Sequence, residues 1–168
     1  MSRDIWNIVS EYNPNISFNN RKRYLSNNYP GWDKGDDFSL LEIGKRGDTH
    51  ALEYIYELGV SVNYEAIAVG AAENGHMDML KYLISKGVDD YDDLASAAAS
   101  QGRVDILKYL LDMGASNYND IASEAAYKGY RNIVMMMIDI GANNYREIAD
   151  AARRNKYNGI AYDVEKMQ

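Results

Sequence analysis

The chain contains no cysteine, two prolines and two histidines among its 168 residues. Without cysteine it forms neither a disulfide framework nor a thiolate metal site. Long apolar runs are missing as well, since IVMMMI at 133–138 is far shorter than the roughly 18 residues of a membrane-spanning helix. The N-terminus, MSRDIWNIVSEYN, lacks the apolar region of a signal peptide. We therefore expect a cytoplasmic protein that does not enter membranes.

Motifs that support catalysis or metal binding are also missing. The sequence has no glycine-rich phosphate loop, nucleophile elbow or zinc motif, and His50 has no carboxylate and serine partner at a spacing suggestive of a triad. The acidic pairs Asp89–Asp90 and Asp92–Asp93 lack the pattern of a calcium loop, so helix N-caps and helix-dipole partners explain them better. The sequence predicts a protein that is not an enzyme and uses no metal, cofactor or small-molecule substrate.

Charge is distributed unevenly along the chain. Residues 1–35 carry five basic and three acidic side chains, a net +2, whereas residues 36–168 carry 13 basic and 22 acidic ones, a net −9. A body of this charge repels a phosphate backbone, so we expect no nucleic-acid ligand. The RKR triplet at 21–23 is the exception, and it is compatible with a nuclear signal or a phosphate contact.

An internal repeat is the main feature that the sequence does contain. Gly47, Gly75, Gly102 and Gly129 are spaced by 28, 27 and 27 residues. A second glycine series and a tyrosine series keep the same phase, namely Gly59, Gly87, Gly114 and Gly141, and Tyr64, Tyr91, Tyr118 and Tyr145. Three markers in constant phase indicate an array of repeated structural units.

Each repeat is expected to form two short helices. In the third repeat, Leu94 and Ala98 lie at helical spacing, and Gly102 follows where a C′ residue needs positive φ. A second helix carries Leu107 on its apolar face and ends at Gly114. Because one hairpin cannot bury its apolar stripe alone, neighbouring hairpins must stack. The predicted fold is an all-α helix-hairpin solenoid of about four full repeats plus a truncated C-terminal cap.

The predicted organisation has two parts. Residues 1–35 do not fit the repeat and are predicted to be an N-terminal capping or docking segment. Residues 36–168 form the array, in which Lys156 takes the place of the first glycine in the shortened last unit. The predicted units are about 36–63, 64–90, 91–117, 118–144 and 145–168.

The stretch AAENGHMDMLKYLISKGVD at 71–89 resembles the second half of an ankyrin repeat, with an alanine pair, a Gly-His, paired aliphatic residues and a closing glycine. The match recurs across about 36–157. Ankyrin repeats have about 33 residues and open with Thr-Pro-Leu-His, whereas these repeats have 27 and read AIAV, DLAS or DIAS there. The missing residues fall where the family's β-hairpin finger projects. The array is similar to shortened, finger-poor relatives found in large viral and intracellular-parasite repertoires.

The resemblance implies a protein that binds a partner protein on the concave face of the solenoid, in the cytoplasm or, for a viral protein, in the host-cell cytoplasm. It also implies that His76 makes backbone hydrogen bonds between neighbouring repeats. Tyr127 and Arg154 are the preferred contact residues, since Tyr and Arg are frequent interface anchors. By resemblance, the candidate partner-binding residues precede the first glycine of each unit and are Glu73, Asn74, Ser100, Gln101, Tyr127, Lys128, Arg154 and Asn155.

A two-part adaptor is the alternative function. In that hypothesis the array binds the target while residues 1–35 recruit a second machine such as a ubiquitin ligase. Ankyrin arrays often carry such segments, and DIWNIVSEYNPNISF at 4–18 is similar to the opening of an F-box. The sequence leaves both functions open.

Overall fold

The computed structural model describes residues 18–34 and 36–167. Within these ranges the chain forms eleven α-helices, one short 3₁₀ turn at Trp32–Lys34 and no strand, so the predicted all-α fold is confirmed there. In chain order the helices are α1 (Phe18–Asn28), α2 (Asp37–Arg46), α3 (Thr49–Glu57), α4 (Tyr64–Asn74), α5 (Met77–Ser85), α6 (Tyr91–Ser100), α7 (Val104–Met113), α8 (Tyr118–Lys128), α9 (Arg131–Ile140), α10 (Tyr145–Arg154) and α11 (Asn158–Glu165).

From α2 onward the helices form five successive hairpins, and glycine ends most of their first helices. Gly47, Gly75 and Gly129 cap α2, α4 and α8 in the left-handed conformation, with φ of 60°, 87° and 88°. An L-residue in this conformation brings its Cβ too close to the following carbonyl, which explains the regular glycine spacing. In the last hairpin Lys156 adopts the same conformation, with φ of 68°, and it is the one non-glycine residue with positive φ in the described ranges.

The described residues divide into two compact units, with the boundary between Asp89 and Asp90. In the first unit α1 packs on α3, while α4 packs on both α2 and α5. In the second unit α8 lies between α6 and α10, and each of these three first helices also contacts the second helix of its own hairpin. Each unit is therefore a stack of hairpins whose first helices lie side by side.

Small residues on the first helices and larger aliphatic ones on the second helices form the cores. Ala98 and Ala99 of α6, Ala125 and Ala126 of α8, and Leu107 of α7 are all fully buried in the second unit. Small side chains allow the first helices to approach closely, while each buried aliphatic side chain contributes about 1.5–3 kcal/mol.

Two glycines allow α2 and α4 to pack closely. A Cβ built on Gly44 would lie 2.0 Å from the carbonyl oxygen of Ile67, and one built on Gly70 would lie 2.2 Å from that of Leu41. Both distances are far below van der Waals contact, and the obstructing atoms belong to helical backbone. Only glycine fits at these two positions.

The segment before the first repeat packs on the first hairpin. Leu25, Tyr29 and Trp32 are 0%, 1% and 3% exposed. Asp48, the N-cap of α3, joins the two parts because its Oδ2 accepts hydrogen bonds from the hydroxyls of Tyr24 at 2.6 Å and Tyr29 at 2.7 Å. Its other oxygen accepts from the Ala51 N–H at 3.0 Å.

Asx side chains in the second unit hold the loop that precedes the next hairpin. Asp92 Oδ1 accepts from the N–H groups of Ser116 at 2.6 Å and Asn117 at 2.9 Å. Asn119 Oδ1 repeats the contact one hairpin later, with N–H groups 2.8 and 2.9 Å away. Asp90, rather than Asp92, is the side-chain N-cap of α6. These contacts, which we call Asx clamps, lie in the short loops between successive hairpins.

Replacing Asn119 by alanine removes the side-chain oxygen that accepts both hydrogen bonds of its clamp. We expect the free energy of unfolding to fall by about 1–2 kcal/mol, since two backbone N–H groups lose their partner. Asn119→Asp retains an acceptor, as Asp92 does naturally, and should cost less than about 0.5 kcal/mol. Urea titration of both variants measures the difference. A matched control is Asn132→Ala, at an exposed position in α9, and equal losses in Asn119→Ala and Asn132→Ala would contradict the clamp.

Candidate functional site

An open hollow of about 400 Å³ lies between α8 and α10 in the second unit. Four of its residues come from α8 at helical positions i, i+3, i+4 and i+7, which places them on one face of that helix. Two more come from the facing surface of α10. The lining residues are Asp120, Ser123, Glu124, Tyr127, Ala151 and Arg154.

The hollow lies at a repeat position where the neighbouring repeats have glycine or alanine and the fourth repeat does not. The positions equivalent to Glu124 in the neighbouring repeats are Gly70, Ala97 and Ala151. Gly70 lies in backbone contact with α2, whereas Glu124 is partly exposed and lines the hollow. The substitution of a carboxylate for glycine or alanine therefore distinguishes the fourth repeat from its neighbours.

Tyr127 and Arg154, the preferred candidates from the sequence, both line this hollow. Tyr127 is 40% exposed. Its carbonyl oxygen accepts a hydrogen bond from Asn155 Nδ2 at 2.9 Å, which ties the C-terminal end of α8 to that of α10. The Lys128 ammonium lies 5.6 Å from the centroid of the Tyr127 ring. Four of the eight candidates, Tyr127, Lys128, Arg154 and Asn155, are thus brought together.

The other four candidates lie elsewhere and are engaged in local contacts. Glu73 forms an ion pair with Lys45 at 3.0 Å in the first unit, and Asn74 donates to the Gly70 carbonyl at 3.2 Å. Ser100 is only 9% exposed, so it offers almost no surface to a partner. Its hydroxyl donates to the Ala97 carbonyl at 2.8 Å and lies 3.4 Å from Gln101 Nε2.

Sequence reasoning missed four lining residues, namely Asp120, Ser123, Glu124 and Ala151. The comparison of repeats covered the two positions directly before each glycine, and these four residues lie further toward the N-terminus of the helix. Two signals were available in the sequence. Asp120, Ser123, Glu124 and Tyr127 share a helical face, and Glu124 occupies a position held elsewhere by glycine or alanine.

The two histidines have no role in this hollow. His76 Nε2 lies 3.0 Å from the carbonyl oxygen of Lys45 in the preceding hairpin, and since a carbonyl only accepts, this nitrogen carries the proton. The contact links neighbouring repeats, as the ankyrin resemblance implies. His50 lies exposed in α3. Among residues 18–34 and 36–167, no three His, Asp or Glu side chains cluster in a way that could hold a metal ion.

Two further predictions concern the N-terminal segment. Residues 4–17 of the F-box-like stretch lie outside the described residues. Of the RKR triplet, Arg21 forms an ion pair with Glu57 at 2.5 Å, and its guanidinium lies 5.9 Å from the centroid of the Tyr54 ring. Arg21 therefore contributes to the packing of α1 on α3.

No described helix is both long enough and apolar enough to cross a lipid bilayer.

Comparison with known proteins agrees with the repeat geometry. The family model described as "Ankyrin repeats (3 copies)" matches residues 40–121 and again residues 68–148, which together make up more than half of the chain. This chain belongs to the ankyrin-repeat family. Ankyrin repeats are generally protein–protein interaction modules and are typically non-catalytic. No curated protein matches the sequence.

Proposed function

We propose that this protein is a non-catalytic module that binds a partner protein through the exposed face of its first helices, with the hollow between α8 and α10 at the centre of the contact. In ankyrin-type arrays this face is the concave, partner-binding side. The observation that supports the proposal is the presence of Tyr127 and Arg154 in one open hollow, because these residue types are enriched among interface hot spots. The cytoplasmic location stays a prediction of the sequence.

The site is built on regular helices, which lowers the cost of binding. Tyr127 lies in the last turn of α8, and Arg154 is the last residue of α10. The hydrogen bond from Asn155 to the Tyr127 carbonyl restrains the two helix ends relative to each other. Because helix ends are already ordered, a partner that contacts them immobilises few additional groups. Long flexible fingers are not needed for such a contact.

Removing both anchors should abolish most partner capture. We expect Tyr127→Ala combined with Arg154→Ala to reduce the amount of captured partner at least about tenfold in a pull-down from cytosolic extract, read by mass spectrometry. Both side chains are exposed, so the free energy of unfolding should change by less than about 0.5 kcal/mol per substitution. Urea titration of the double variant checks this.

The matched control combines Tyr162→Ala with Arg146→Ala. Tyr162 is 58% exposed on α11, Arg146 is exposed on α10, and neither lines the hollow. We expect the control to capture the same partner as the unmodified protein. A loss of similar size in both double variants, or no loss in either, would place the binding surface elsewhere.

A further inference from the structure

The hollow contains opposite charges that do not pair with each other. Arg154 lies on the α10 side, and Asp120 and Glu124 lie on the α8 side. The adjacent Arg153 forms ion pairs with Asp150 and Glu165, whereas Arg154 and Glu124 form no ion pair or side-chain hydrogen bond within the described part of the chain. Two formal charges in one hollow therefore lack a partner among residues 18–34 and 36–167.

A hydroxyl in the same place also lacks a partner. The Oγ atom of Ser123, which lines the hollow, is buried and makes no hydrogen bond within the described residues. Serine hydroxyls in helices commonly donate to a carbonyl of the preceding turn, and Ser100 does so in α6. Among the described residues, Ser123 thus lacks the backbone hydrogen bond that Ser100 makes.

Glu124 occupies a position where the neighbouring repeats have a small residue, so its carboxylate is not explained by helix packing. Its equivalents, Gly70, Ala97 and Ala151, are small residues of closely packed helices, and Ala151 is buried on the opposite wall. A partly buried carboxylate contributes nothing to such packing and loses part of its hydration. A donor from outside the protein would offset this cost.

The net charge of the hollow and of the second unit favours a positively charged group of the partner. Asp120, Glu124 and Arg154 together carry −1, and residues 90–168 carry 9 basic and 12 acidic side chains, a net −3. Among the lining residues alone, an anionic group such as a phosphate would meet one guanidinium and two carboxylates, and so would be bound less favourably than a cation. A lysine or arginine side chain would meet the two carboxylates of the α8 wall, whereas the Tyr127 ring is already approached by the Lys128 ammonium.

We propose that the hollow receives one basic side chain, Lys or Arg, of the partner protein, which donates hydrogen bonds to the carboxylates of Glu124 and Asp120. Arg154, on the other wall, donates to a carbonyl or carboxylate that flanks this basic residue in the partner. This inference rests on the proposed function, since it specifies the chemistry of the partner at the same site. The occupant is a protein segment that carries a basic residue beside an acceptor.

Selection from a library of random displayed peptides on the full-length protein tests this assignment. We expect the enriched peptides to share a Lys or Arg, and their affinity to fall about tenfold or more in Glu124→Gln, because a charge-assisted hydrogen bond is replaced by a neutral one. The affinity should also fall as salt is raised. The matched control is Asp105→Asn, which removes one exposed carboxylate on α7 and should leave binding unchanged.

Tyr127→Ala distinguishes failure of this inference from failure of the proposed function. Peptides that require Tyr127 but share no basic residue, or that bind Glu124→Gln and the unmodified protein equally well, would overturn the inference and leave the binding site in place. Enrichment of acidic peptides that share no basic residue would overturn it in the same way. If no enriched peptide depends on Tyr127, the inference and the proposed site both fail.

Discussion

Replacing Gly70 by alanine is expected to lower the free energy of unfolding by about 3 kcal/mol or more. The added Cβ would lie 2.2 Å from the Leu41 carbonyl oxygen and 2.7 Å from the Lys45 nitrogen. Both atoms belong to the backbone of α2, so no side-chain rotation can relieve the overlap, and α2 must separate from α4. The higher helix propensity of alanine recovers only about 1 kcal/mol.

Gly159→Ala provides the matched control for this substitution. Gly159 also lies in a helix, but an added Cβ there meets no atom within 4 Å. We expect a neutral change or a gain of about 0.5 kcal/mol from helix propensity and from reduced entropy of the unfolded chain. Urea titration followed by circular dichroism measures both variants. A Gly70→Ala variant as stable as Gly159→Ala would show that α2 and α4 do not pack as closely as described.

Loss of the Asp48 carboxylate is also expected to lower the free energy of unfolding by a large amount. We propose that residues 18–34 cap the first hairpin, and Asp48 accepts hydrogen bonds from two of them, Tyr24 and Tyr29. Asp48→Ala removes an N-cap, which costs about 1 kcal/mol, and leaves the buried Tyr29 hydroxyl without its acceptor, which costs about 1–3 kcal/mol more. We expect a total loss of about 3 kcal/mol in the free energy of unfolding, measured by urea titration at neutral pH.

The stability that Asp48 contributes to this cap should also depend on pH. Burial alone raises the pKa of the Asp48 carboxyl, but the hydrogen bonds from Tyr24, Tyr29 and the Ala51 N–H together outweigh it, so the pKa is lowered. Burial, followed by the Asp48 contact, raises the pKa of Tyr24 to about 12, and the hydroxyl remains a donor throughout the neutral range. A lowered carboxyl pKa stabilises the fold above the unfolded value of about 4, and this contribution is lost as the pH falls through the folded value.

Asp48→Asn tests the acid response because it keeps an acceptor oxygen but cannot ionise. The difference in unfolding free energy between the unmodified protein and Asp48→Asn should be largest above about pH 4 and should shrink in more acidic solution. Tyr29→Phe, which removes one donor and keeps the buried ring, should destabilise the protein less than Asp48→Ala. A difference that stays constant as the pH is lowered would show that Asp48 is not ionised in the folded protein.

The repeat phase and the helix ends could be predicted from the sequence because they depend on local chemistry. Gly47, Gly75 and Gly129 occupy left-handed positions that few other residues tolerate, so a regular glycine spacing marks regular helix ends. The role of Gly44 and Gly70 could not be predicted in this way. Both lie inside helices, and their necessity arises from the approach of another helix, which no local pattern records.

The Asx clamps were missed for a related reason. Asp92 binds N–H groups 24 and 25 residues further along the chain, and the sequence shows only an acidic residue in the first turn of a helix, where a helix-dipole partner is expected. Comparison of single positions between repeats did single out Tyr127 and Arg154 as candidates, because their chemistry differs from that of Glu73 and Ser100. It could not show that Ser100 is buried, since burial depends on the neighbouring hairpin.

Site-specific photocrosslinking tests the proposed binding site most directly. A photoreactive phenylalanine analogue placed at position 127, and separately at position 162, would be activated in cytosolic extract. We predict a covalent adduct with one partner protein from position 127 that is absent from position 162 and is lost when Arg154→Ala is added. No adduct from position 127, or the same adducts from both positions, would contradict the assignment of the hollow between α8 and α10 as the site where this protein binds its partner.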